Sequence, residues 1–232
     1  MALKSIAFIP DGNRRYALKA GIGLAEAYKL GTEKAWSMID WLEDYPSIKA
    51  GTFYTLSYEN LHRTRTELGA LFKIFGKELD KVFLNPIFER NGIRLKFIGR
   101  TNLLPKGLQQ KLKKAEDFTE DFRRRTINLA IGYNGQVEIL DAVKKLLQKN
   151  EEGKLRAKDL TPEGFHDYLY ADTPDPDLIV RTSGTQRLSG FLTYQSVYSE
   201  LYFIDKYWPE ITRTDLGNAV EEYESRQRRF GK

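Results

Sequence analysis

Apolar and polar positions alternate along this chain in two periods, and the switch between them sets out an ordered series of elements. Ile6 to Ile9 is a short apolar run ended by Pro10 and reads as a buried strand. Asp11-Gly12-Asn13 is turn chemistry, and from Asn13, a candidate N-cap, the chain enters a helix. Leu24 to Trp41 places Leu24, Ala27, Tyr28, Leu30, Ala35, Met38 and Ile39 loosely on one side of a helix. Ile48 to Ser57 is rich in aromatic and β-favouring residues and predicts a second strand. Thr64 and Glu67 stand at capping-box spacing, and Leu68, Leu71, Phe72, Phe75, Leu79, Val82 and Phe83 follow at helical period. That face suits core packing, and it also suits the wall of an apolar substrate channel.

Further strands are predicted at Ile93 to Ile98, Thr126 to Ile131, Leu178 to Val180 and Leu201 to Ile204. Helices are expected to start at Pro105, to run from about Gln136 to Lys149, to follow the Thr161-Pro162 cap, and to run from Thr212 to about Arg228. Arg123-Arg124-Arg125 reads as a solvated helix end facing the C-terminal dipole. Strand and helix alternate throughout. The expected fold is therefore α/β, a single domain (residues 1–232) with a mostly parallel sheet of about six strands flanked by helices.

Composition narrows the chemistry. Hydrophobic residues make up 41% of the chain and aromatics 12%, enough for a packed core. The absence of cysteine excludes disulfides, zinc–thiolate sites and thiol nucleophiles, and fits a reducing compartment. No signal-peptide pattern opens the chain and no apolar run reaches the ~20 residues that span a bilayer, so a cytoplasmic location is expected. A net charge of +5, from 37 basic and 32 acidic residues, admits an anionic ligand without calling for nucleic acid.

In a parallel sheet the carboxyl ends of the strands share one edge, where open α/β sheets bind ligands. The loops there carry Asp11, Gly12, Asn13, Arg14 and Arg15; Ser57, Tyr58, Glu59, Asn60 and Arg63; Tyr133, Asn134 and Gly135; and Arg181, Thr182, Ser183, Gly184, Arg187 and Ser189. Several arginines with hydroxyl and amide donors and few carboxylates suit a polyanion, diphosphates and nucleotides above all. A lone carboxylate, Asp11, at a helix entry with two arginines fits a divalent cation bridging it to phosphate. An ordinary strand-to-helix turn with surface arginines is the competing reading of that one stretch. No Walker A pattern or dinucleotide glycine fingerprint is present, and His62 and His166 lack metal-site spacing.

The same stretches resemble the signatures of the cis-prenyltransferases, the undecaprenyl diphosphate synthase family. Phe8 to Ala17 resembles the first, Ser57 to Arg63 the second and Asn128 to Gly135 the third. Asp177 to Gly184 with Arg187 to Leu192 matches the fourth, and Ser199 to Phe203, Trp208-Pro209 and Arg226 to Gly231 complete the set in order. The Pro10 and Arg14-Arg15-Tyr16 variants look archaeal or eukaryotic rather than bacterial.

The resemblance implies a dimeric, Mg²⁺-dependent enzyme, expected to be a homodimer, with an apolar tunnel beside the sheet. It would join an allylic prenyl diphosphate to isopentenyl diphosphate, and the lipid product would bring peripheral membrane association. Carried over by position, Asp11 would hold Mg²⁺ and assist diphosphate departure, and Glu200 would support the metal, across the dimer interface. Gly12, Asn13, Arg14 and Arg15 would bind the allylic diphosphate. Asn60 and Arg63 would orient the reacting groups with Ser57 nearby, and Arg181, Arg187 and Ser189 would grip the isopentenyl diphosphate. Two departures stand out. Leu24 and Tyr28 occupy positions where the family usually has arginine and histidine, and Thr185 and Gln186 replace an acid and a histidine. An atypical acceptor or a short product is the corresponding expectation. The alternative function is a non-catalytic or weakly active partner subunit of a heteromeric prenyltransferase, against which the retained Asp11, Asn60, Arg181 and Arg187 argue.

Overall fold

The structure, a computed structural model, describes residues 2–226. The sequence-predicted end of the last helix at Arg228 and most of the Arg226 to Gly231 signature lie outside the described residues.

Among the described residues six strands form one sheet in the order β3-β4-β2-β1-β5-β6. They are β1 (Ser5–Ile9), β2 (Ala50–Ser57), β3 (Ile93–Ile98), β4 (Arg125–Tyr133), β5 (Leu178–Arg181) and β6 (Glu200–Phe203), and every pair is parallel. The central strand β1 is buried at all its residues, as a strand covered by helices on both faces must be. The chain reverses strand order between β2 and β5, on either side of β1. That switch point opens the crevice in which such sheets bind ligands.

Among the described residues eight α-helices connect and cover the strands: α1 (Asn13–Ala20), α2 (Leu24–Trp41), α3 (Arg65–Val82), α4 (Ile87–Arg90), α5 (Lys106–Thr119), α6 (Gly135–Glu151), α7 (Pro162–His166) and α8 (Arg213–Ser225). Thr64, Asn134 and Thr161 cap α3, α6 and α7 through their side chains, so each helix start is written in the residue before it. The core lies on both faces of the sheet. The larger cluster gathers Phe8, Phe53, Leu95 and Ile127 under α2, α3 and α5. The smaller gathers Ala7, Ile9, Ile98, Tyr133, Ile179 and Phe191 on the opposite face.

Two expectations are corrected. Asn13 is not the N-cap of α1 but its first residue; Gly12 caps it at φ 105°, and the Asn13 amide faces Pro10 O at 3.5 Å. Arg125 is not a solvated helix end. α5 stops at Thr119, and Arg125 opens β4 with its guanidinium buried on the carbonyls of Leu42, Tyr45 and Ile48 and the carboxylate of Glu43. Four acceptors offset the cost of burying that charge.

Candidate active site

The site is built on the turn after β1. Its glycine is required by conformation and by space. Gly12 lies in the left-handed region, and a Cβ there would stand 2.7 Å from the Tyr207 ring and 3.1 Å from Ser183 Cβ. With glycine at the cap and no capping side chain, the first-turn N–H groups of α1 are left open to an anion.

Asp11 follows the end of β1, and Arg181 ends β5 beside it, in register with Ile9. Arg181 Nη2 donates to Asp11 Oδ2 at 2.8 Å, while Arg15 Nη2 lies 3.2 Å from Oδ1. Thr182 fixes the backbone of the turn: its Oγ1 accepts from Asp11 N at 2.8 Å and donates to Asp11 O at 2.6 Å. Burial alone would raise the Asp11 carboxyl. The Arg181 hydrogen bond and charge, the Ser183 hydroxyl and Arg15 outweigh it and hold the group below the usual carboxylate range.

Arg181 also donates from Nη1 to Ser189 Oγ at 2.9 Å and to the Arg187 carbonyl, which folds the fourth signature into a cradle around one guanidinium. Ser183, Ser189 and Leu192 take positive φ in this loop, and such backbone is held where surrounding structure over-determines it. The third signature supplies that support. Gly135 N donates to Gly190 O at 2.6 Å, and a Cβ at Gly135 would meet Thr193 Oγ1 at 2.3 Å. Tyr54 stacks on Phe191 and donates to the carbonyls of Tyr133 and Ser189.

Across the mouth, Ser57 Oγ accepts from Asn60 N, Asn60 Oδ1 accepts from Arg63 Nε at 3.1 Å, and Arg63 Nη1 donates to Tyr28 OH at 2.7 Å. Glu67 closes this group, accepting from Arg63 at 2.9 Å and from Tyr28 OH at 2.8 Å, with Arg14 at 3.9 Å. Burial and the Glu67 hydrogen bond push the Tyr28 phenol up to about 12, so it stays a neutral donor.

These groups rim a cavity of about 830 Å³. Asp11, Gly12, Asn13, Arg14, Arg15, Ser57, Asn60, Arg63, Arg181, Arg187 and Ser189 all line it, so the structure brings eleven of the twelve sequence-predicted site residues together. Glu200 is the one left apart: it is the first residue of β6, at the amino-terminal edge of the sheet, and pairs with Arg226 at 2.7 Å. The cavity continues inward between the sheet and α2, α3 and α5, past Ile39, Leu71, Phe75, Leu129 and Ile131. It is the apolar tunnel expected beside the sheet.

Sequence reasoning missed the roles of three residues here. Glu67 read only as half of a capping box; Thr64 does accept its N–H, but its carboxylate serves Arg63 and Tyr28. Thr182 holds the turn of Asp11. Trp208 donates from N to Asp11 O at 3.0 Å and from Nε1 to Gly31 O at 2.7 Å, and only its place in a quoted signature marked it.

Among the described residues no group of three or more His, Asp or Glu side chains could hold a metal by itself. One ionised carboxylate beside an uncapped helix start with two arginines suits Mg²⁺, a cation that commonly completes its ligand set with phosphate oxygens and water. The buried Asn13 Oδ1, which has no hydrogen-bond partner, packs against Gly31 of α2.

Comparison with known proteins agrees with this geometry. Residues 9–231 match the family model described as "Putative undecaprenyl diphosphate synthase". A protein of Pyrobaculum aerophilum named tritrans,polycis-undecaprenyl-diphosphate synthase (geranylgeranyl-diphosphate specific) is 43% identical over 232 residues, covering 98% of this chain and 95% of its own. A Thermoplasma acidophilum protein of the same name is also 43% identical, over 99% of this chain and 89% of its own. The crystal structure of lavandulyl diphosphate synthase from Lavandula x intermedia, in complex with dimethylallyl diphosphate, matches with a TM-score of 0.95 at 30% identity, covering 100% of this chain and 99% of that one. The chain belongs to the undecaprenyl diphosphate synthase family, the cis-prenyltransferases. It is an enzyme, a transferase that builds prenyl diphosphates.

Proposed function

We propose that the enzyme condenses geranylgeranyl diphosphate, as the names of its relatives state for them, with isopentenyl diphosphate to make a cis-polyprenyl diphosphate. The observation that carries this reading is the joining of two cationic subsites to one apolar tunnel around the ionised carboxylate of Asp11. The uncapped start of α1 with Arg14 and Arg15 would hold the allylic diphosphate. Arg181, Arg187 and Ser189 would hold the isopentenyl diphosphate. Asn60 and Arg63 orient the reacting ends, with Glu67 and Tyr28 holding Arg63 in place.

Asp11 would hold Mg²⁺, which when bound neutralises charge developing on the departing diphosphate. The arginines do the same from the protein side. Tunnel side chains such as Phe75 and Leu129 exclude water from the allylic cation and receive the growing chain.

The chain would act as one domain and as a homodimer. An exposed apolar stripe on α6, Leu140, Val143 and Leu147, recurs at helical spacing and supports such a contact. Glu200, remote from its own Asp11, would serve the metal only from a partner subunit. No helix among the described residues is long and apolar enough to cross a membrane. A cytoplasmic enzyme meeting the membrane through its lipid product fits that.

Incubation with isopentenyl diphosphate, Mg²⁺ and a series of allylic starters tests the reading. Products should form, and best from geranylgeranyl diphosphate. No prenyl product from any starter would favour the partner-subunit alternative.

A further inference from the structure

Three of the signature stretches meet at one side-chain amide. Asn134 follows β4 and caps α6, its Oδ1 accepting from Gln136 N at 2.8 Å and from Val137 N at 3.3 Å. With the oxygen committed to those two donors, the NH₂ group is the end left to face away from the helix. There Nδ2 donates to Glu59 Oε1 at 2.6 Å. The same amide lies against the fourth signature. A Cβ on Gly190, which holds φ 75°, would stand 2.8 Å from Nδ2. Gly135 N fixes that approach by donating to Gly190 O at 2.6 Å. Glu59 and Asn134 both line the cavity.

The charge of Glu59 makes this contact informative. A carboxylate on the rim of an anion-binding site opposes the anion it admits. Its partner is a neutral amide rather than a cation. What the contact does is mechanical. Glu59 opens a short 3₁₀ turn, Glu59–His62, and the next residue, Asn60, holds Arg63. On the other side Gly190 follows Ser189, which holds Arg181. Below the rim the same loops meet through backbone carbonyls. Tyr58 N donates to Tyr133 O at 2.8 Å, and the Tyr54 hydroxyl donates to Tyr133 O and Ser189 O.

We propose that Glu59 and Asn134 are a positioning pair, a strut across the mouth. It sets the loop of Asn60 and Arg63 against the cradle of Arg181 and Ser189, and so aligns the two reacting ends. Asn134 is already ordered by the helix it caps, so the strut costs little further side-chain entropy. Both residues act through the groups they hold. The inference rests on the reading of the mouth as the site of prenyl transfer.

Turnover of geranylgeranyl diphosphate with isopentenyl diphosphate and Mg²⁺, read beside Tm, tests the strut. Glu59→Ala and Glu59→Gln remove the same charge, but glutamine keeps an oxygen for the Asn134 amide. Glu59→Ala should lower kcat about ten-fold, on the scale of a misplaced reacting group, and Glu59→Gln should retain most of it. Asn134→Ser keeps a capping hydroxyl for α6 and loses the amide donor. It should match Glu59→Ala in kcat while Tm stays close to wild type. Combining the two should cost little more than either alone, because both remove one contact. Equal kcat in Glu59→Ala and Glu59→Gln would reduce Glu59 to a rim charge and overturn the strut. Losses that multiply in the double variant would overturn it too. Should Asn134→Ser lower Tm steeply, the two Glu59 variants decide alone. All these outcomes leave the enzyme assignment intact, whereas a wild type that makes no prenyl product from any starter removes that reading and the strut with it.

Discussion

Arg181 donates to Asp11 across 2.8 Å, from the end of one strand to the turn that ends its neighbour. The Arg181 side chain is 5% exposed and also binds Ser189, so one buried cation holds together the turn after β1 and the loop after β5. Under the proposed assignment, an incoming diphosphate would compete with Asp11 for that cation and free the carboxylate as it binds.

Arg181→Ala should weaken isopentenyl diphosphate far more than the allylic substrate. One charge-assisted contact of roughly 1.5–3 kcal/mol corresponds to about a ten- to hundred-fold loss. Calorimetric titration with each diphosphate separately checks this, and equal losses for both would show that the two subsites are assigned wrongly.

Tyr28 and Glu67 share Arg63, but not equally. In Tyr28→Phe, Arg63 keeps its 2.9 Å contact with Glu67, so the cost to kcat/KM should stay near 1 kcal/mol. Glu67→Ala removes the carboxylate that both Arg63 and Tyr28 use and should cost about 2–3 kcal/mol. Steady-state kinetics rank the two, and the reverse order would contradict the geometry.

Gly12→Ala puts a Cβ against Tyr207 and forces a left-handed backbone on alanine. A loss of about 1–3 kcal/mol in stability is expected, visible as a lowered Tm, together with a large fall in turnover. An unaltered Tm would show that the turn relaxes freely.

Asp141 and Arg100 supply a pH signature. The Arg100 hydrogen bond, opposed by burial and helped by Tyr170, draws the Asp141 carboxyl down to about 2. The folded value lies below the unfolded one of about 3.9, so the pair stabilises fully above that pH and its contribution fades as pH falls towards 2. The pair is partly exposed, which limits the effect to about 1 kcal/mol. Denaturant unfolding of wild type and Asp141→Asn should differ by a constant amount from pH 5 to 7 and converge below about pH 4. A gap that widens in acid would contradict the assignment.

The sheet was legible because each strand is a short apolar run stopped by turn residues, and α2 because its pattern spans the whole helix, Leu24–Trp41. Most of the site was legible because its residues sit at strand ends, where parallel topology alone brings them together. What stayed hidden depends on contacts between distant elements. Glu67 reaches Tyr28 across 39 positions and Glu78 reaches Trp36 across 42, so a capping pattern and a charged helix residue were all the sequence displayed. Arg125 was misread because a run of arginines looks solvated, whereas its acceptors lie about 80 residues earlier, on the turn before β2. Asn13 lost the cap to Gly12 because the close approach of Tyr207 leaves no room for a side chain there.

The central claim is that Asp11 anchors Mg²⁺ at the point of diphosphate loss. Turnover of geranylgeranyl diphosphate with isopentenyl diphosphate, titrated with Mg²⁺ in wild type and in a folded Asp11→Ala variant, tests it most directly. Wild-type turnover should rise from near zero and saturate with Mg²⁺, and the variant should stay at least about a hundred-fold lower at every concentration, the scale of losing a major electrostatic group. A variant that regains near-wild-type turnover at saturating Mg²⁺, or a wild type indifferent to Mg²⁺, would contradict the account.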